Sequence, residues 1–230
     1  MSYVDERADL RPDSPEARGV VIARGRLVYL RTLAPADLEI LDQWAEDPFL
    51  DRMVGSEFLR AYKHVYDKHP AFYEACLNDG TQVVLVIMAA PPTDARGTRP
   101  LGLVRLFNIH LLEGYAFLET MITDPRALRR GLGIEAGKLI CAYGLDVLGL
   151  RRIEAKVYEY NRLSINSLIR HGFRREGVLR QAGFHAGQHF DVVVFGILRE
   201  ELEEQRKKEV DQESYHFPFA GAEGAAGDPP

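Results

Sequence analysis

The chain has 230 residues, 46% of them hydrophobic and 27% charged, which suits one sizeable globular domain with or without tails. Its formal net charge of -5 argues against a nucleic-acid backbone as the main partner and leans toward a cationic small molecule or basic peptide. Cys76 and Cys141 are too few for a disulfide framework and lack metal-ligand spacing, and no apolar run reaches bilayer length, so the expectation is a cytoplasmic protein with no metal, no membrane and no nucleic acid to bind.

Residues 1–19 are polar, charged and proline-containing, and read as a poorly ordered arm. Val20 to Arg31 is rich in β-branched and apolar residues around a break at Gly25, which predicts a strand or short hairpin. Pro35 suits the first turn of a helix carrying Leu38, Leu41 and Trp44 at helical spacing. A second helical pattern covers about Glu57 to Leu77. Its aromatics, Phe58, Tyr62, Tyr66, Phe72 and Tyr73, are assigned to core packing ahead of a substrate pocket. Gln82 to Ala90, Leu101 to Ile109 and Tyr115 to Thr123 read as a three-stranded antiparallel meander, its turns at Pro91 to Pro100 and Leu111 to Gly114.

A helix over Ile134 to Leu148, closed by Gly149, leads into an alternating strand over Arg152 to Tyr158, an order that implies a parallel crossover. Asn161 to Gly172 predicts a short helix ended by glycine. Two strands, Arg174 to Ala182 and His189 to Leu198, follow. The domain is expected to occupy residues 20–200, and 201–230 to form a charged extension with a disordered tail.

The organising stretch is Thr123 to Leu139, in which a turn through Asp124 and Pro125 meets a glycine-punctuated loop that opens a helix. Gly131 and Gly133 allow main-chain amides to approach a bulky anion, the first-turn N–H groups lack intrahelical partners, and Arg129 and Arg130 add charge. This is phosphate-binding chemistry. The spelling excludes a Walker loop and a dinucleotide fingerprint.

The loop resembles the acyl-CoA pyrophosphate loop of the GNAT superfamily of N-acetyltransferases, with Leu128 where that pattern has Gln or Arg. Further blocks extend the resemblance, which is nearest to the RimJ/RimL-like branch: Asp124-Pro125, Gly131 to Ala136, Gly149 to Glu154, Asn161 to Ile165, Gly172 to Gly177 and Gly187 to Asp191. It implies a mixed α/β fold in which a strongly twisted sheet, with helices on both faces, splays between its fourth and fifth strands to admit acetyl-CoA as co-substrate. It also implies that the pyrophosphate rests on the amides of Leu128, Arg129, Arg130, Gly131, Leu132, Gly133 and Ile134, and that Met121, Ile122 and Thr123 pair their backbone with the pantetheine arm. Asn161 and Ser164 match positions that meet the cofactor, and Arg170 is placed near its phosphates. Helix capping explains Asn161 as well.

Acetyl transfer to an amine requires removal of the amine proton. Glu119 is the leading candidate base, because it lies on the strand that runs into the loop, where an apolar setting is expected. His189, Tyr115 and Asp191 stand in reserve. Many members place a tyrosine acid at the position of Leu168, so Tyr160, a water or the helix dipole is left to stabilise the CoA thiolate. The resemblance implies an N-acetyltransferase acting on a primary amine, whether a protein or peptide N-terminus, a polyamine, an aminoglycoside or another small-molecule amine, with a homodimer among its permitted assemblies. The alternative is a catalytically silent module that binds acyl-CoA for regulation.

Overall fold

A computed structural model describes residues 19–64, 73, 75–76, 78–90, 99–123 and 127–208. The Asp124-Pro125 turn, most of the Pro91 to Pro100 turn, Tyr66, Phe72, and the outer parts of both expected tails lie outside the described residues.

Eight strands form one mixed sheet in the order β1-β2-β3-β4-β5-β6-β8-β7. The hairpin predicted around Gly25 is β1 (Val21–Arg24) and β2 (Val28–Thr32). The meander is β3 (Val83–Ala89), β4 (Gly102–His110) and β5 (Tyr115–Ile122), antiparallel throughout. The last three strands are β6 (Arg152–Tyr158), β7 (Arg174–His185) and β8 (Gln188–Leu198).

Six α-helices have defined bounds: α1 (Leu38–Ala45), α2 (Pro48–Met53), α3 (Glu57–His64), α4 (Leu132–Asp146), α5 (Arg162–His171) and α6 (Arg199–Lys208); residues 73, 75–76 and 78 are also helical. Helix α2 escapes the hydrophobic periodicity because it is only six residues long. Its signal is Asp47-Pro48, in which Asp47 Oδ1 accepts from the N–H groups of Phe49 and Leu50 at 2.8 and 3.3 Å. The charge run at 199–208 is helical but not wholly solvated, since Leu202 is buried against the sheet core.

Strand β3 shows why the sheet is covered on both faces. Leu85 and Ile87 point into a core formed with Leu139, Ile140 and Leu145 of α4, while Val86 and Met88 enter a second core with Leu41, Trp44, Phe58 and Tyr62. An uninterrupted apolar strand is what two buried faces demand. Core packing is therefore the role of Trp44, Phe58 and Tyr62, all nearly inaccessible.

The decisive feature is the junction of β5 and β6, which are parallel and pair only at Tyr115↔Arg152, Ala116↔Ile153 and Phe117↔Glu154. Beyond Phe117 the two strands continue without pairing, so the sheet opens toward the carboxyl ends of both. Ligands of such sheets collect at this end. Among the described residues, no helix is long and apolar enough to cross a membrane.

Candidate functional site

The opening between β5 and β6 is the floor of a cleft of roughly 1060 Å³, walled by the loop before α4, by α5, by the α2–α3 connection and by the β7–β8 hairpin. At its loop end Arg129 and Gly131 are both left-handed, with φ of 63° and 83°. Gly131 is the residue before α4, and the N–H of Glu135 bonds back to its carbonyl at 3.0 Å. The amides of Leu132, Gly133 and Ile134 thus have no intrahelical partner, and all three residues line the cleft.

Glu135, on the first turn of α4, would compete for those amides if its carboxylate folded back. It is instead committed to the β1–β2 turn, accepting from the N–H groups of Arg26, Leu27 and Val28 at 3.1, 2.7 and 2.8 Å. The acid therefore clamps the hairpin beside the loop and leaves the amide cradle free. Leu128 and Arg129 line the cleft, whereas Arg130 is exposed outside its lining.

Strand β5 supplies the long edge. Thr123 donates both its N–H and its hydroxyl to Leu101 O, at 2.9 and 3.1 Å, so its backbone faces β4. Strand alternation turns the N–H and C=O groups of Thr120 and Ile122 the other way, toward the opening. The Met121 side chain is buried in the α1–α3 core. The strand edge available to a ligand is therefore carried by Thr120 and Ile122, with Met121 and Thr123 fixing their orientation.

Across the opening, Asn161 caps α5. Its Oδ1 accepts from Ser164 N–H at 3.0 Å, and its Nδ2 donates to Met53 O and Ser164 Oγ at 2.6 and 2.8 Å. Asn161 thereby ties α5 to the end of α2, and its amide group is already occupied. Ser164, Leu168 and Arg170 line the same wall.

At the middle of the cleft Glu119 is not in the apolar setting expected of it. Arg105 grips its carboxylate in a fork, Nε to Oε1 at 3.1 Å and Nη2 to Oε2 at 3.2 Å, while Ser56 Oγ donates to Oε1 at 2.7 Å. Arg105 is held in turn by the Phe58 and Phe107 rings, 5.4 and 4.3 Å from their centroids. Arg105 was legible only as a lone charge inside an apolar strand. Ser56, 63 residues from Glu119, had no sequence signal at all.

The three other catalytic candidates fall elsewhere. Tyr115 belongs to the closed part of the sheet, opposite Arg152 and stacked on His110 at 5.4 Å, so no opening exists beside it. His189 sits near the tip of the β7–β8 hairpin, opposite Phe184, outside the cleft lining. Asp191 accepts from Gln181 N–H, which closes a bulge in the same hairpin. Tyr160, a stand-in for the absent acid, donates its hydroxyl to Arg52 O at 2.7 Å, and burial and neighbouring Tyr158 raise its pKa.

His171, missed in the sequence, lines the inner wall with only 2% of its surface exposed, and its Nε2 has no hydrogen-bond partner among the described residues. A Cβ at Gly137 would come within 3.1 Å of its ring, which explains a glycine inside α4. Burial, reinforced by the charge of Lys138, pushes the imidazole down from 6.5 to about 3. The unfolded chain takes up this proton near pH 6.5 and the native state does not, so stability falls as pH drops below about 6.5. Urea midpoints should fall between pH 6.5 and 5 with about 2 kcal/mol attributable to this group, and His171→Leu should remove that part of the slope. An unchanged slope in the variant would contradict the assignment.

Among the described residues no cluster of His, Cys, Asp and Glu could hold a metal. The arrangement is an anion cradle at one end, a free strand edge along its length and a fixed carboxylate at its centre.

The family model for the acetyltransferase (GNAT) domain matches residues 27–174. The chain is 37% identical over 75 residues to the uncharacterized N-acetyltransferase YoaA of Bacillus subtilis, covering 33% of this chain and 42% of that protein. It is 27% identical over 157 residues to alpha/beta-tubulin-N-acetyltransferase 9 of Mus musculus, covering 66% of this chain and 63% of that one. The match thus spans less than two thirds of either relative. In structure it is similar to spermidine N-acetyltransferase from Vibrio cholerae in complex with CoA and spermine, with a TM-score of 0.66 at 20% identity over 77% of this chain and 98% of that chain. At that identity the likeness concerns the fold.

Proposed function

The chain belongs to the GNAT acetyltransferase domain family, and from that premise we propose that it is an N-acetyltransferase that moves the acetyl group of acetyl-CoA directly to a primary amine. We place it in the RimJ/RimL-like branch on the linked sequence blocks from Asp124 to Asp191. The observation that carries the reading is the opening of β5 from β6 beside a loop with three free helix amides.

In this reading the pyrophosphate lies on the amides of Leu132, Gly133 and Ile134, with Arg129 and Arg170 supplying charge. The pantetheine arm pairs with the β5 edge at Thr120 and Ile122 and lies against Ser164 of α5. That path brings the thioester to the middle of β5, where Glu119 stands.

The acceptor amine enters from the α2–α3 side. Its proton passes to Glu119 or to a water held by it, and the nitrogen lone pair then attacks the thioester carbonyl. The C–S bond breaks and CoA leaves as the thiolate, which takes up a proton. Leu168 supplies none, Tyr160 is committed to Arg52, and we assign the proton to water in the cleft. Tyr115 and His189 take no part in this scheme.

The test is thiol release on mixing protein, acetyl-CoA and a panel of primary amines, with product mass read alongside. Acetylated amine in equal amount to released thiol is expected. Tight acetyl-CoA binding with no thiol release across the panel would favour the silent regulatory module instead.

A further inference from the structure

The charges inside the cleft are opposite in balance to those of the whole chain. The chain carries -5, which leans toward a cationic acceptor. The cleft lining instead holds six cationic side chains, Arg60, Arg105, Arg129, Lys156, Arg162 and Arg170, and, among the described residues, the single carboxylate of Glu119. Total charge says little about a concave site, because the field there is set by the groups that line it.

Part of this surplus is already assigned. Arg129 and Arg170 suit the phosphates of the acyl donor, and Arg105 is neutralised by Glu119. Arg60, Lys156 and Arg162 remain.

Arg60 is the best placed of them. It rises from α3 on the side where the acceptor enters, and Gly55 lies between its guanidinium and the Tyr158 ring. A Cβ at Gly55 would stand 3.4 Å from Arg60 Nη2 and 3.1 Å from the Tyr158 hydroxyl oxygen. The partner of Arg60 is Asp51, at 3.3 Å, and both side chains are about half exposed. Asp51 also lies 3.6 Å from His185 Nδ1. An exposed pair of this kind is weak, so Arg60 can exchange Asp51 for an incoming anion at little cost. A polycation entering here meets Arg60, already beside Asp51, then Lys156, and in the cleft lining, among the described residues, the one carboxylate of Glu119, which Arg105 and Ser56 already hold.

We propose that the acceptor is a primary amine that carries an anionic group in the same molecule, and that Arg60 recognises that anion. This rests on the transferase reading above. The polyamine bound by the structurally similar Vibrio cholerae enzyme has the opposite charge, and the fold they share does not carry the substrate across. A carboxylate and a phosphate both present planar or tripodal oxygens to a guanidinium, so the class covers amino acids, peptides and phosphorylated amino sugars.

The test is calorimetric titration of the CoA-loaded protein with matched pairs that differ only in the anion: phenylalanine against phenylalaninamide, and glucosamine 6-phosphate against glucosamine, with spermidine as the polycation. The anionic member of at least one pair should bind roughly tenfold more tightly than its neutral partner, and raised salt should shrink that ratio. Arg60→Ala should bring the ratio to about one while leaving the neutral member and CoA bound as before. A preference in the carboxylate pair alone points to amino acids or peptides, and in the phosphate pair alone to sugar phosphates. Equal binding within both pairs, tightest binding of spermidine, or a ratio unchanged in Arg60→Ala would overturn the proposal. Failure of the transferase reading shows separately, as the absence of heat on adding CoA, and the paired amines titrated without CoA still decide the question of charge.

Discussion

Gly131→Val abolishes acetyl-CoA binding and leaves the domain folded. The two halves of this expectation have different physical origins. Gly131 has φ of 83°, and a β-branched residue held there costs about 1–2 kcal/mol, a fraction of the usual 5–15 kcal/mol of domain stability. Nor is there a clash among the described residues, where a Cβ at this position would meet only a methyl of Leu27, at 3.8 Å. In the proposed site the added bulk is expected to narrow the cradle around the anion, and relief of the strain to turn the free amides of Leu132 to Ile134 away. Affinity should fall by more than about 100-fold with a helical spectrum unchanged. Gly133 is the poorer test, since a Cβ there would press on Ile122 at 3.2 Å and confuse packing with binding. Retained affinity in Gly131→Val would remove the loop from the donor site.

Glu119→Gln should lower kcat by about 10²–10⁴-fold at neutral pH with an alkyl amine as acceptor. The amide is close in shape to the carboxylate, and its oxygen can still accept from Ser56 Oγ and Arg105 Nε while the hydrogen bond from Arg105 Nη2 is lost, so the acceptor pocket is expected to keep its shape. What it loses is the capacity to take a proton. An alkyl amine is mostly protonated at pH 7 and loses its own proton near pH 10, so the deficit should shrink as pH rises. A deficit of the same size at pH 7 and pH 10 would mean that Glu119 orients the acceptor and does not handle its proton.

How much of this could be read from the chain depends on the range of the interactions. Local rules are enough for the cradle: two glycines, an N-terminal helix turn and Arg129 lie within a few residues, and the structure has them together at one end of the cleft, with Arg130 outside its lining. The β5–β6 parallel step follows from one helix between two strands. The carboxylate network does not follow from local rules, because Ser56, Gln82, Arg105 and Glu119 meet only once three strands and a helix have been placed in register. Tyr115 and His189 show the same limit from the other side. Their residue types suit proton transfer, yet one lies where the sheet is still closed and the other near a hairpin tip. The charge of the cleft lining is hidden for a related reason: -5 is a sum over the whole chain, and the cleft samples a small part of it that, among the described residues, is mostly cationic.

The most direct test of the account is a calorimetric titration of the purified protein with acetyl-CoA. One saturable site per chain, absent in Gly131→Val, is the predicted result. Heats of dilution alone with the folded wild-type protein would contradict the assignment of the opening between β5 and β6 as an acyl-CoA site.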